Sequence, residues 1–233
     1  MSDLPSLSLL TLGFLLGARH ALEADHVVAI STIAAENRSF WRSCGIGFCW
    51  GVGHTVVLLI AGLAVLAFRL SISEDWARLF EAAVGLMLIG LGLSAGLKLW
   101  RERLHVHAHI HGDGRRHVHL HSHKEELSHT HRHRFRLEYK SLAVGMLHGL
   151  AGSAALLLLV VSTAGSVTGG LLYILLFGVG SIGGMVLLGA VLSVPFSLTP
   201  ARLVRTHLLL RALAGLASLC LGGGMLYEFF SRE

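Results

Sequence analysis

Residues Leu7–Ile33 read LSLLTLGFLLGARHALEADHVVAISTI. About 20 apolar residues cross roughly 30 Å of hydrocarbon, and this stretch is long enough. Arg19, His20, Glu23, Asp25 and His26 interrupt it. If these five lay in a surface loop, the span would begin at Val27, and Val27–Ala35 is too short to cross alone. The stretch is therefore read as one span with a polar cluster at depth. Charged groups there are costly unless paired or facing a water-filled cavity. A cleaved signal peptide is not expected, since no basic segment leads the apolar run.

The remainder of the chain agrees. It has 233 residues, 53% of them hydrophobic and 14% charged, with a mean hydropathy of +0.66. Soluble domains carry about 25% charged residues, so that class is excluded, as are disorder, a collagen-like fibre and a disulfide scaffold. Cys44, Cys49 and Cys220 form no CxxC pair and read as small packing residues. The net charge of +5 points to loop orientation in a bilayer and not to nucleic acid.

Six spans are expected: Leu7–Ile33, Ile46–Leu66, Leu79–Leu99, Leu142–Ala164, Gly169–Val194 and Leu208–Phe230. Ser141–Ala201 holds no Asp, Glu, Lys or Arg. It is too long for one crossing, and Gly165, Ser166, Gly169 and Gly170 supply a turn. The expected fold is an all-α polytopic membrane protein. Arg38, Arg42, ten Lys and Arg from Lys98 to Lys140, and Arg202 and Arg205 follow spans one, three and five. Arg69, Arg78 and Arg232 mark the other side. The positive-inside rule then places both termini outside the plasma (inner) membrane and the long central loop in the cytoplasm.

The two halves match one another. Gly17-Ala18-Arg19-His20 recurs as Gly145-Met146-Leu147-His148, an offset of 128. Gly51-Val52-Gly53-His54 recurs as Gly178-Val179-Gly180-Ser181, and Ala82-Ala83-Val84-Gly85-Leu86 resembles Ala212-Leu213-Ala214-Gly215-Leu216. Common small-residue packing between membrane helices is the simpler reading. The nearly constant offset favours a 3+3 repeat, inverted because each half has three spans, with substrate near the midplane. The units are 1–100, the loop 101–138, and 139–233.

At 100° per residue His20, Glu23 and His26 share one arc of a helix, while Asp25 points elsewhere. Asp25 either serves another partner, or the helix unwinds so that all four converge, as in broken transporter helices. Arg19 lies four residues before Glu23, a spacing that allows pairing. His54 and His148 lie inside other spans. A lone buried histidine is commonly a satisfied core residue; beside this cluster they read as ligands or pathway residues. Several imidazoles with some carboxylate oxygen suit Zn, Cu, Fe and Ni. Mg²⁺ or Ca²⁺ would call for an oxygen-dominated set. A proton relay uses the same residue types and stays open.

Arg19 followed by His20-Ala21-Leu22-Glu23-Ala24-Asp25-His26 closely resembles the HX4DH signature of the nickel/cobalt transporter family. Gly53-His54-Thr55-Val56-Val57 is similar to that family's second histidine motif. Gly145-Met146-Leu147-His148-Gly149-Leu150-Ala151-Gly152-Ser153 resembles a motif of its short NicO and UreH-like branch. The likeness spans residues 7–230. It departs at Glu23, where the signature more often has Asp, and in lacking the extra helices of eight-span members. It implies transition-metal permeation, with His20, Asp25 and His26 recognising metal and His54 as a fourth ligand.

The chain has 16 histidines. Eleven lie between Leu104 and Arg136: His105, His107, His109, His111, His117, His119, His121, His123, His129, His131 and His133. Their alternation does not suit a packed helix and reads as a mobile chelating tract. A basic loop attracted to anionic lipid is the other reading, since arginines interleave. The whole is expected to be a secondary transporter taking up Ni²⁺, with Co²⁺ as a second cargo and no prosthetic group. The metal set is His20, Glu23, Asp25, His26, His54 and His148. Its partners are the bilayer, the divalent ion and nickel enzyme maturation proteins, with no nucleic acid. Efflux by the same fold is the alternative. No Walker A sequence is present, so ATP-driven transport by this chain alone is not expected. A membrane-embedded metalloenzyme would need a general base and an open coordination position, and no catalytic motif supports it.

Overall fold

The computed structural model describes residues 7–36, 39–68, 73–101, 105–110, 116–121, 136–151, 166–198 and 204–231. These form α1 (Leu7–His20), α2 (Ala24–Ala34), α3 (Phe40–Phe68), α4 (Glu74–Arg101), β1 (His105–Ile110), β2 (Arg116–His121), α5 (Arg136–Ala151), α6 (Val167–Leu198) and α7 (Val204–Ser231).

Among the described residues four helices are long and apolar enough to cross a membrane: α3, α4, α6 and α7. The expected first span is two shorter helices, α1 and α2, with a break between them. The expected fourth span is described only to Ala151, as part of α5; the remainder lies outside the described residues. Lipid suits the exterior: Ile60, Leu86, Leu187 and Leu209 are each 63% exposed. Trp41, Trp76, Trp100, Tyr139 and Tyr227 are exposed near helix ends, where aromatic side chains anchor at the two interfaces.

Hydrophobicity does not drive helices together in lipid, so close packing and interhelical hydrogen bonds must. Helix α1 packs on α6, α3 lies between α5 and α6, and α4 packs on α7. Glycines permit these approaches. A Cβ at Gly17 would strike the Phe177 carbonyl, and one at Gly145 the Trp50 carbonyl. One at Gly53 would strike Leu142 and one at Gly180 would strike Phe14. Gly85 and Gly92 face Gly222 and Gly215. Hydroxyls join the helices: Ser141 Oγ donates to the Ile46 carbonyl (2.6 Å), Ser218 Oγ to Leu88 (2.8 Å) and Thr32 Oγ1 to Ala214 (3.0 Å). Ile30, Ile33, Ile46, Trp50, Leu88 and Met185 are fully buried where α2, α3, α4 and α6 meet.

At one end Glu36, just after α2, pairs with Lys98 of α4 (2.5 Å) and Lys140 of α5 (3.8 Å). This fixes three helix ends on one side. The described part of the histidine-rich loop is strand, so the all-α expectation holds for the membrane body and not for this segment. β1 and β2 are antiparallel and set His105 opposite His121, His107 opposite His119 and His109 opposite His117. His111, His123, His129, His131 and His133 lie outside the described residues.

The glycine contacts make a stability prediction. Gly17→Val and Gly145→Val should each lower the thermal midpoint of the detergent-solubilised protein. Gly90→Ala, where no atom lies within 4 Å of the added Cβ, should hold or raise it, since Ala is favoured over Gly by about 1 kcal/mol in a helix. Differential scanning fluorimetry reads both.

Candidate metal centre

The centre begins where α1 stops. Leu22 N–H donates to the Arg19 carbonyl (2.9 Å) and Glu23 N–H to His20 (3.0 Å), a tighter turn than the α-helix. Glu23 then takes an extended conformation (φ −63°, ψ 148°) and α2 restarts at Ala24. The unwinding considered from the sequence is therefore present. It puts Asp25 in the first turn of α2, where unpaired N–H groups and the helix dipole favour an anion.

Asp25 uses both oxygens. Oδ1 accepts from the His26 backbone N–H (2.8 Å) and faces His26 Nδ1 (3.0 Å). Oδ2 faces Nε2 of His148, on α5, at 2.8 Å. Glu23 Oε1 lies 3.1 Å from Nδ1 of His20. Glu23 thus pairs with His20 and not with the exposed Arg19, whose spacing had allowed it. In a neutral imidazole one nitrogen donates and the other has a lone pair. The carboxylates therefore claim Nδ1–H of His20, Nδ1–H of His26 and Nε2–H of His148.

Among the described residues the opposite nitrogens have no hydrogen-bond partner: Nε2 of His20, Nε2 of His26, Nδ1 of His148, and both nitrogens of His54. His26, His54 and His148 are fully buried and His20 is 3% exposed. Each orphaned buried polar group costs about 1–3 kcal/mol. Their rings are in contact: His20 to His26 4.6 Å between centroids, His20 to His54 5.1 Å, His26 to His54 5.5 Å, and His26 to His148 4.0 Å. Two sets bring their ligand atoms within 4.8 Å of one another: His20, His26 and His54; and Asp25, His26 and His148. A carboxylate behind a ligating imidazole fixes its tautomer and raises its basicity. Two carboxylates behind neutral imidazoles also offset a charge of 2+. All six expected membrane residues are thus assembled in one place, Glu23 as a partner of His20.

Some neighbours were not expected. Trp50 walls the cage, its ring 5.6 Å from His148 and 6.3 Å from His26. Its position four residues before His54 gave a signal, as i and i+4 share a helix face. Gly149, four residues after Gly145, lets α5 meet the His54 backbone, and that small-xxx-small spacing marked the contact. A cavity of about 430 Å³ adjoins the cage, lined by Glu23, Asp25, Arg78, Glu81, Glu228 and Phe229 among others. Arg78 Nη2 donates to the Phe229 carbonyl (3.1 Å) and its guanidinium lies 5.7 Å from that ring. These residues come from helices distant in sequence, and no local pattern announced them. Ser181, matched to His54 in the expected repeat, is fully buried.

A family model described as high-affinity nickel-transport protein, NicO, matches residues 6–203. The chain is 40% identical over 234 residues to a urease accessory protein, UreH, of Bacillus sp. (strain TB-90), covering 100% of this chain and 96% of that one. It is 29% identical over 87 residues to the high-affinity nickel-transport protein NixA of Helicobacter pylori, covering 36% of this chain and 26% of that one. No solved structure matches.

Asp25→Asn should weaken Ni²⁺ binding about 10–100-fold, the usual loss when a partner of a ligating histidine is altered. Glu74→Gln, at the exposed start of α4, should leave it unchanged. Equilibrium dialysis of the purified protein measures both, counted against a variant with His20, His26, His54 and His148 changed to Gln so that loop-bound ions cancel.

Proposed function

The chain belongs to the NicO family of high-affinity nickel-transport proteins, and from that premise we propose that it takes up Ni²⁺ across the cell membrane as a secondary transporter, with Co²⁺ as a second cargo. The observation that carries this reading is the cage itself. Buried imidazole nitrogens without partners among the described residues converge, and carboxylates hold the opposite edges of three of the four rings. Imidazole donors favour late first-row divalent ions. His20, His26 and His54 ligate the ion, Asp25 and Glu23 balance its charge, and His148 joins them from α5.

Alternating access needs two halves that rock about a fixed site. Paired contacts support the inverted-repeat reading. Under an offset near 128, the Gly17–Phe177 contact maps onto Gly145–Trp50, and Gly53–Leu142 onto Gly180–Phe14. On the α4–α7 side, Gly92–Gly215 maps onto Gly85–Gly222. In this reading six membrane segments form two three-helix units, 1–100 and 139–233, joined by a cytoplasmic loop at 101–138.

Inward transport is favoured over efflux by the relative named as a urease accessory protein: supplying nickel to maturation proteins requires ions moving into the cytoplasm. The loop's eleven histidines then capture the ion on arrival. Deleting residues 104–136 should shift apparent affinity without abolishing flux. Chelation there is multidentate and separate from the crossing.

The function itself is tested in proteoliposomes with Ni²⁺, Co²⁺, Zn²⁺ and Mn²⁺ in competition, with and without a pH gradient. Ni²⁺ should move and Co²⁺ should compete. His20→Ala, Asp25→Ala and His26→Ala should each remove most flux while the protein still reaches the membrane. Near-normal flux in two of the three would refute the site. In whole cells the gene should raise nickel content; a fall would establish efflux.

A further inference from the structure

Resting on the metal-binding reading above, we propose that the cage contains two overlapping cation stations that share His26, and that the ion passes from one to the other as it crosses. The first is Asp25, His26 and His148; the second is His20, His26 and His54.

The stations use opposite edges of one ring. Nδ1 of His26 faces Asp25 at 3.0 Å, on the edge where His148 Nε2 also meets that carboxylate, at 2.8 Å. Among the described residues Nε2 of His26 is unpartnered, as are Nε2 of His20 and both nitrogens of His54. A neutral imidazole carries one lone pair and one N–H, so His26 can bind an ion at only one edge at a time. Occupancy of the two stations is therefore exclusive, and His26 is the residue common to both.

Proton bookkeeping is neutral. With the ion on Nε2 of His26, Nδ1–H donates to Asp25. With the ion among Asp25, Nδ1 of His26 and Nε2 of His148, each of these two rings carries its proton on the opposite nitrogen. Both rings stay uncharged and no proton is gained or lost.

Access and chemistry order the stations. The Asp25 side chain is 22% exposed and lines the acidic cavity, whereas His20, His26 and His54 are buried. An ion in the cavity meets the station containing Asp25 first. Its carboxylate oxygen accepts a divalent ion while water is still being shed. The all-imidazole station then demands a late first-row metal, since Mg²⁺ and Ca²⁺ require oxygen ligands. The first screens by charge and the second by ligand type. His20 and His148 are separated by the repeat offset of 128 and flank His26 at centroid distances of 4.6 and 4.0 Å. Rocking of the two halves would exchange one for the other.

The test uses the full-length protein in lipid nanodiscs, with Ni²⁺ binding measured by equilibrium dialysis and ligand identity by X-ray absorption. Flux is read in proteoliposomes. Binding is counted relative to a variant with His20, His26, His54 and His148 all changed to Gln, so that ions held by the loop histidines cancel; the wild type should then bind one ion. His148→Gln should still bind one, in a nitrogen-dominated shell. His54→Gln should still bind one, in a shell richer in oxygen. Each should lose flux about tenfold or more, the scale of a disturbed metal shell. His26→Gln should lose binding altogether. His148→Asn replaces His148→Gln if the latter is not recovered as a monodisperse species. Wild-type flux in the His148 variants would overturn the two-station proposal and leave the all-imidazole site intact. So would loss of all binding in both single variants, which means one undivided site, or two ions bound at saturation. Full binding by His26→Gln would instead defeat the underlying metal-site reading.

Discussion

A carboxylate at bilayer depth has to be paired, and Asp25 is paired with two histidines from different helices. Oδ1 meets the backbone and ring of His26, and Oδ2 meets His148 across the cage. Much of the architecture follows from holding that group. The first apolar segment must break, so that Asp25 falls in the first turn of α2 where N–H groups are unsatisfied. Helix α5 must come close enough to deliver His148, and Gly145 and Gly149 allow this by letting its backbone lie against Trp50 and His54 of α3. Ser141 secures the same contact one turn earlier through the Ile46 carbonyl. The histidine cage and the helix packing are thus one problem.

The direction of the hydrogen bonds decides what the cage can do. Had the imidazoles paired with one another, their lone pairs would have been spent. Because carboxylates take the N–H edge of His20, His26 and His148, the opposite edges remain available to a cation. Two acidic groups in contact with neutral ligands offset a 2+ charge without placing every carboxylate in the coordination shell. A purely oxygen-lined cavity of the same charge would select harder ions. Nitrogen in front and oxygen behind gives charge balance and late-metal preference together.

Much of this was legible in the chain. The HX4DH spacing, the interruption of Leu7–Ile33 and the offset linking His20 to His148 pointed to residues that the structure gathers in one cage. The arc calculation showed that a straight helix could not aim Asp25 with its neighbours, and the structure meets that conflict by breaking the helix. Pairing was less legible. Glu23 had Arg19 four residues behind it, but the break removes the regular geometry that an i,i+4 pair requires, and His20 becomes its neighbour instead. The break itself was invisible to hydropathy, which sums over an interruption that backbone geometry respects. The cavity residues Arg78, Glu81 and Glu228 were invisible for a different reason. They share a cavity with Glu23 through the packing of α2, α4 and α7 on one another, and no sequence period encodes a contact between helices so far apart.

The two halves differ where charge matters. In the proposed repeat Glu23 corresponds to Ala151 and Asp25 to Ser153 at the offset of 128 that relates His20 to His148, while His54 corresponds to Ser181 at an offset of 127. A symmetric site would hold four carboxylates around one divalent ion, leaving a net charge of 2− buried in a medium where each unpaired charge costs several kcal/mol. Keeping the acids in one half satisfies electroneutrality with a single cation. The imidazole of His148 carries no such penalty when neutral, so it can be retained in the second half. Duplicating helices preserves the packing contacts, but duplicating charge would have destabilised the empty site, and in the proposed repeat the divergence of the halves follows that division.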